Sequence, residues 1–149
     1  MYNTRMAKHN DLGKLGESIA VQFLEKKGFK IIDRNYNKKW GELDIIALSP
    51  AKGVTRERDI VHIVEVKSTS RILKGEDSDI SRENVSYETK DTYRPEEMLH
   101  PKKIERLKRT IQTYLLEKHI ENWQFDLIVV YIDMQKRVAR CKYLDDIIL

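Results

Sequence analysis

The sequence predicts an α/β domain in the order helix, strand, strand, strand, helix, strand. Three observations carry that reading. Two amphipathic runs, at 11–27 and from Pro101 onward, repeat apolar residues at helical spacing. Between them lie short runs rich in β-branched residues. After the second comes a near-continuous apolar stretch, Phe125 to Ile132, of the kind buried on both faces of a sheet. Helices and strands in this order pack as separate layers, two or three in number. A chain of 149 residues is the length of one domain with room for a core.

In the first helix Leu12, Leu15, Ile19 and Phe23 form the apolar stripe. Asp11 is a capping residue, and Lys26-Lys27 followed by Gly28 is a stop signal. Phe29 to Asp33 reads as the first strand, Trp40 to Leu48 as the second and Ile60 to Lys67 as the third. Ser49-Pro50 and Lys52-Gly53 break the chain between the last two. Pro101 opens the second helix, which runs to about His119 and turns Ile104, Leu107, Ile111 and Leu115 toward the core. Arg137 to Tyr143 is a candidate further strand, and Leu144 to Leu149 a short tail. Residues 68–100 break the rhythm, being polar and mixed in charge. A segment this long without structure is either functional or disordered. We read it as an insertion, expected to be mobile, within a single domain spanning 1–149. It begins directly after Lys67, so it is placed to fold over that end of the sheet.

Composition narrows the class. Charged residues make up 35 % of the chain and hydrophobic ones 40 %, as in a soluble globular protein. No apolar run approaches the roughly 20 residues of a membrane span, and the N-terminus lacks the apolar core of a signal peptide, so no membrane partner is expected. A single cysteine, Cys141, excludes an internal disulfide, and the four histidines show no zinc-ligand spacing. Cytoplasm is the expected compartment. Net charge is +4, yet residues 71–97 alone carry −3, which leaves +7 on the rest. A basic body of that kind suits a polyanion.

Residues 41–46 (Gly-Glu-Leu-Asp-Ile-Ile) and 60–67 (Ile-Val-His-Ile-Val-Glu-Val-Lys) place charges inside otherwise apolar strands. Charged side chains are rarely buried without a partner or a metal. Residues two apart share a strand face, so Glu65 and Lys67 project together, roughly 6.6 Å apart along the backbone. Should the two strands pair, Asp44 joins them, giving two carboxylates and an ammonium at one strand end. Such a set suits a divalent metal acting on a phosphodiester. The plainer alternative is a solvated face with cross-strand ion pairs, each contributing about 0.2–1 kcal/mol.

Taken together, the motifs resemble the YraN-like family of predicted bacterial nucleases, within the restriction-endonuclease-like superfamily and distantly related to archaeal Holliday-junction resolvases. The resemblance rests on Gly13-x-x-Gly16-Glu17-x-x-Ala20, on Leu24 and Gly28, and on Gly41-Glu42-Leu43-Asp44. It continues through Val64-Glu65-Val66-Lys67, Lys102-Lys103-Ile104 to Leu115, and Phe125-Asp126-Leu127. It implies a restriction-endonuclease-like core, with a mixed central sheet flanked by helices. It also implies that Asp44, Glu65 and the backbone carbonyl of Val66 bind metal, that Lys67 is the catalytic lysine, and that Glu17 is an additional acid near the metal. From the residues alone Glu17 is equally an exposed first-turn acid favoured by the helix dipole. The chain departs from the family where Ser68-Thr69-Ser70 separate Lys67 from Arg71, and in the longer segments 49–59 and 68–100.

The implied chemistry is Mg²⁺- or Mn²⁺-dependent hydrolysis of phosphodiester bonds in nucleic acid, with DNA the expected partner. Mg²⁺ is commonly held by one or two carboxylates plus water and phosphate oxygens. Glu42 shares strand parity with Asp44 and is a supporting group or an exposed strand-start acid. Lys102, Arg106 and Arg109 lie away from the apolar stripe and are candidates for phosphate contacts, while Tyr36 and Trp40 are candidates for base stacking or for rim packing. The apolar tail Ile147-Ile148-Leu149 is a candidate homodimer interface and equally a tail packed on its own sheet. The alternatives in function are a catalytically inactive nucleic-acid-binding module of the same fold and a scaffold whose charges are only ion pairs.

Overall fold

Gly28 sits at a φ of +89°, a conformation that costs glycine least, and there the first helix stops. The main-chain N–H groups of Gly28 and Phe29 turn back to the carbonyls of Glu25 and Leu24, closing the last turn. The computed structural model describes residues 4–50, 59–70 and 100–149. Its elements are α1 (Thr4–Lys26), β1 (Lys30–Lys38), β2 (Gly41–Leu48), β3 (Val61–Ser70), α2 (Pro101–Lys118), β4 (Trp123–Asp133) and β5 (Val138–Leu144). This α/β order, with a mixed sheet between two helices, is consistent with a restriction-endonuclease-like core. No helix among the described residues is long and apolar enough to cross a membrane.

The strands lie in sequence order, β1-β2-β3-β4-β5. Only β3 and β4 are parallel, since α2 carries the chain back between them; the other neighbours are antiparallel. Successive residues of β3 point to opposite faces. Val64 enters a cluster under α1 with Ala20, Leu24, Ile45 and Ile128, and Ile63 enters one under α2 with Leu107, Ile111, Tyr114 and Phe125. Each helix buries one stripe, and the sheet is covered on both sides.

Several expectations shift in detail. Helix α1 begins at Thr4, so Asp11 lies inside it and caps nothing; no glycine or proline between 4 and 10 interrupts the helix. Leu15, expected in the apolar stripe, is 41 % exposed. Strand β1 continues through Lys38, because it pairs with β2 over its whole length and its polar residues sit on an edge strand. Strand β3 runs to Ser70, three residues into the segment read as an insertion. Of the rest of that segment, His100 caps α2, its Nδ1 accepting from the Lys102 N–H at 3.3 Å. The insertion proper and its placement over the site lie outside the described residues. The candidate final strand is present as β5.

One end of the sheet is fastened by a buried polar cluster. Asp126 Oδ2 lies 2.5 Å from His62 Nδ1 and accepts from the Tyr143 hydroxyl. Its Oδ1 accepts from Gln124 Nε2 and from the Asp146 main-chain N–H, both at 2.9 Å. Burial raises this carboxyl, but those donors outweigh it and hold Asp126 below the usual aspartate range. The cluster ties β3, β4, β5 and the C-terminal tail together. Ile147 and Leu149 pack onto the α2-side core, and the Ile147 N–H reaches the Phe125 carbonyl at 2.8 Å.

Two glycines set how closely the helices approach the sheet. A Cβ on Gly16 of α1 would lie 1.6 Å from Ser68 Oγ and 2.8 Å from Ser68 Cβ. A Cβ on Gly41 would lie 2.4 Å from Thr110 Oγ1 of α2. Overpacking of this kind costs typically 1–3 kcal/mol, against a gain of about 1 kcal/mol for replacing glycine within a helix. Gly16→Ala is therefore expected to lower the urea midpoint, and Ser68→Gly in the same chain to recover part of the loss. A Gly16→Ala protein as stable as the parent would contradict the close approach.

Candidate functional site

Leu43 packs under α2 and Ile45 under α1, although residues two apart in a regular strand share a face. The alternation therefore breaks at Asp44. Across from it in β1, between the pairs Arg34↔Ile45 and Tyr36↔Leu43, stands Asn35 with a left-handed φ of 51°. Asparagine tolerates that region better than most residues. On the other side, the ladder between β2 and β3 ends at Ile45↔Val64. Beyond that pair the strands part. Asp44 Oδ2 accepts the main-chain N–H of Val66 at 2.8 Å across the gap.

Glu65 is buried, and by parity it faces α2, as Ile63 does. Its Oε1 meets Lys103 Nζ of α2 at 3.0 Å. Lys67, two residues on, shares this face and is exposed. Val66 is half-buried and packs against the α1-side cluster. Glu17 lies in the middle of α1, half-buried, and so is not a first-turn acid. With the Asn35 amide nitrogen turned to face them, Asn35 donates to Glu17 Oε2 at 3.1 Å and to Glu42 Oε1 at 3.2 Å. Glu17, Asn35 and Glu42 border an open cleft of about 750 Å³, lined also by Gly13, Lys14, Ser18 and Arg34; Asp44, Glu65 and Lys67 are not among its lining residues.

The site is crowded with negative charge. Burial pushes the Asp44 carboxyl up to about 8, and the charges of Glu65, Glu17 and Glu42 add to the rise, while the Val66 N–H opposes it. Glu17 is raised by burial and by Glu42 and Glu65, with Arg34 and Lys14 acting against them. Among the described residues no three Asp, Glu, His or Cys side chains form a ready-made metal cage. A hard divalent cation would here use Asp44 and Glu65, a main-chain carbonyl and water, a donor set usual for Mg²⁺. Oxygen donors in an electrostatically underneutralised pocket fit such an ion. Glu17 stands one layer away, tied to Asn35 and Glu42.

Sequence reasoning overlooked Asn35, Arg34 and the role of Lys103. Asn35 stood in a polar run with no sign of a left-handed backbone. Lys103 was legible as one of several helix charges, but nothing in its spacing showed that it reaches Glu65. Of the residues offered for base stacking, Tyr36 is engaged in the rim. Its ring packs edge-on to Tyr114 at 4.9 Å and its hydroxyl donates to Glu117 at 2.7 Å. Trp40 lies beneath the Arg109 guanidinium, 4.2 Å from the ring centre. Lys102, Arg106 and Arg109 are all exposed.

A domain of this architecture, an α/β fold with a five-stranded mixed sheet between two helices, is consistent with a restriction-endonuclease-like core. Residues 16–130 match the family model described as Uncharacterised protein family UPF0102. A UPF0102 protein of Flavobacterium psychrophilum is 34 % identical over 127 residues, covering 85 % of each chain. One of Campylobacter lari is 35 % identical over 132 residues, covering 88 % of this chain and 93 % of the relative. The chain belongs to the UPF0102 family, the YraN family to which its motifs pointed.

The raised Asp44 carboxyl has a direct consequence for stability. The folded chain keeps a proton that the unfolded chain releases above about pH 4, so this group's contribution falls as pH rises from about 4 to 8. Asp44→Asn keeps an oxygen for the Val66 N–H and removes the charge. In metal-free solution it is expected to raise the urea midpoint strongly at about pH 9 and much less at about pH 5. An equal effect at both pH values would contradict the crowding of charge around Asp44.

Proposed function

We propose that this protein is a divalent-metal-dependent nuclease that hydrolyses phosphodiester bonds in DNA. The observation that carries the reading is Asp44, at the break between β2 and β3, bound to the Val66 N–H and within electrostatic reach of the buried Glu65, the residue before Val66, with the exposed Lys67 following it. Asp44, Glu65 and the Val66 carbonyl would hold Mg²⁺ or Mn²⁺, with Glu17 supporting from α1. When bound, such an ion lowers the pKa of water and offsets charge on phosphoryl oxygens.

The chain's own groups do the remainder. The Lys67 ammonium holds the attacking water and stabilises the negative charge that gathers on the phosphoryl group. Asp44 keeps its orientation through the Val66 N–H, so its carboxylate stays fixed while substrate enters. The exposed cations of α2, Lys102, Arg106 and Arg109, meet the phosphate backbone, a contact that carries no base information. That distribution favours recognition of DNA shape, such as a flap or a junction, over recognition of sequence.

The test is Mn²⁺-dependent cleavage of a panel of linear, flapped and junction DNA. The parent protein is expected to cut at least one of them. Asp44→Asn, Glu65→Gln and Lys67→Met are each expected to lose about 100-fold or more in rate, with DNA binding retained. A purified protein that binds these substrates tightly and cuts none is instead a catalytically inactive nucleic-acid-binding module.

A further inference from the structure

Lys103 occupies a place that the proposed reaction does not yet use. It stands in the first turn of α2, after the His100 cap and Pro101, and sends its ammonium onto the carboxylate of a proposed metal ligand. The contact, Lys103 Nζ to Glu65 Oε1, is 3.0 Å. The two partners differ in exposure: the Glu65 side chain is 11 % accessible and that of Lys103 51 %. Glu65 is therefore fixed in the sheet, while Lys103 reaches in from solvent on a flexible stem and has somewhere to go. Two cations of the site, Lys67 and Lys103, thus flank Glu65, one from β3 and one from α2.

We propose that Lys103 is an exchangeable cation of this centre. It neutralises Glu65 while no metal is bound, gives up that carboxylate to the incoming divalent ion, and then binds a phosphate oxygen of the nucleic-acid strand beside the scissile bond. The inference rests on the nuclease reading and adds a phosphate-binding residue to it. Three features support the exchange. A lysine ammonium is a compact charge with three donors on four rotatable carbons, so it passes from one oxyanion to another without repacking. Glu65 has little room to follow it, its side chain being almost wholly buried. A dication and an ammonium sharing one carboxylate oxygen repel, so loading of the metal drives Lys103 outward toward the face that Lys102 and Arg106 also occupy. Charge on the free centre is thereby kept low, and charge on the loaded centre is turned toward the polyanion.

The experiment compares the parent with Lys103→Met, Lys103→Arg and, as a charge-matched control, Lys118→Met at the far end of α2. Titration calorimetry with MnCl₂ alone reads the first half of the exchange. Loss of a partly exposed competing ion pair is expected to tighten Mn²⁺ binding about two- to fivefold in Lys103→Met. Binding of a duplex in CaCl₂ over a range of salt reads the second half. One phosphate contact fewer makes the dependence of log K on log salt shallower by about 0.9 in Lys103→Met, while Lys103→Arg keeps the parental slope. Lys118→Met is expected to change neither quantity, and circular dichroism checks that α2 is intact in all four proteins. Equal or weaker Mn²⁺ binding in Lys103→Met overturns the exchange and leaves the nuclease reading standing. Tighter Mn²⁺ binding with an unchanged salt slope overturns the role in phosphate binding. Absence of Mn²⁺ binding to every variant overturns the metal centre itself, and the exchange with it.

Discussion

Everything at the candidate site depends on the parting of β2 from β3 after the Ile45↔Val64 pair. A continuous ladder would set Asp44 flat against its neighbour, its side chain committed to one face. Instead the strands separate, and the carboxylate turns edgewise and takes the Val66 N–H at 2.8 Å. A main-chain donor stranded beyond the last paired residue is thereby satisfied, as buried backbone groups must be. The opposing left-handed Asn35 and the change of face between Leu43 and Ile45 belong to the same distortion. Irregularities of this kind re-aim side chains at functional places in sheets. A single break in the ladder thus puts a carboxylate, a backbone carbonyl and the Glu65–Lys67 face of β3 at one edge.

Two places along β3 use charge in opposite ways. Near its start, Asp126 is surrounded by donors from four residues, and its carboxyl is held below the ordinary range. That cluster is complete and fastens three strands and the tail. Further along, beside Val66, Asp44 is buried near other acids and is pushed up to about 8. Ionising Asp44 there is costly, so the group lowers stability increasingly as pH rises toward 8, even though it satisfies the Val66 N–H. The same strand joins the two places.

Much of the architecture was legible because it follows from periodicity and punctuation. Lys26-Lys27-Gly28 and Pro101 set helix ends correctly, and the apolar run at 125–132, typical of a buried strand, lies in β4. What periodicity missed was set by tertiary pairing. Residues 34–38 are too polar to read as a strand, yet β2 recruits them as an edge. The segment from Thr4 carries no strong apolar stripe, yet it continues α1. At the site, Asp44, Glu65 and Lys67 stood out because charge inside an apolar strand calls for a reason. Asn35 and Lys103 did not, since a left-handed backbone and a contact between α2 and β3, far apart in sequence, leave no mark on local spacing.

The most direct measurement is anomalous diffraction from crystals of this protein soaked in MnCl₂. A single strong peak between the carboxylates of Asp44 and Glu65, within bonding reach of the Val66 carbonyl, is the expected result. A peak elsewhere on the molecule, or no peak beside these two side chains at saturating Mn²⁺, would contradict the metal centre on which the proposed function stands.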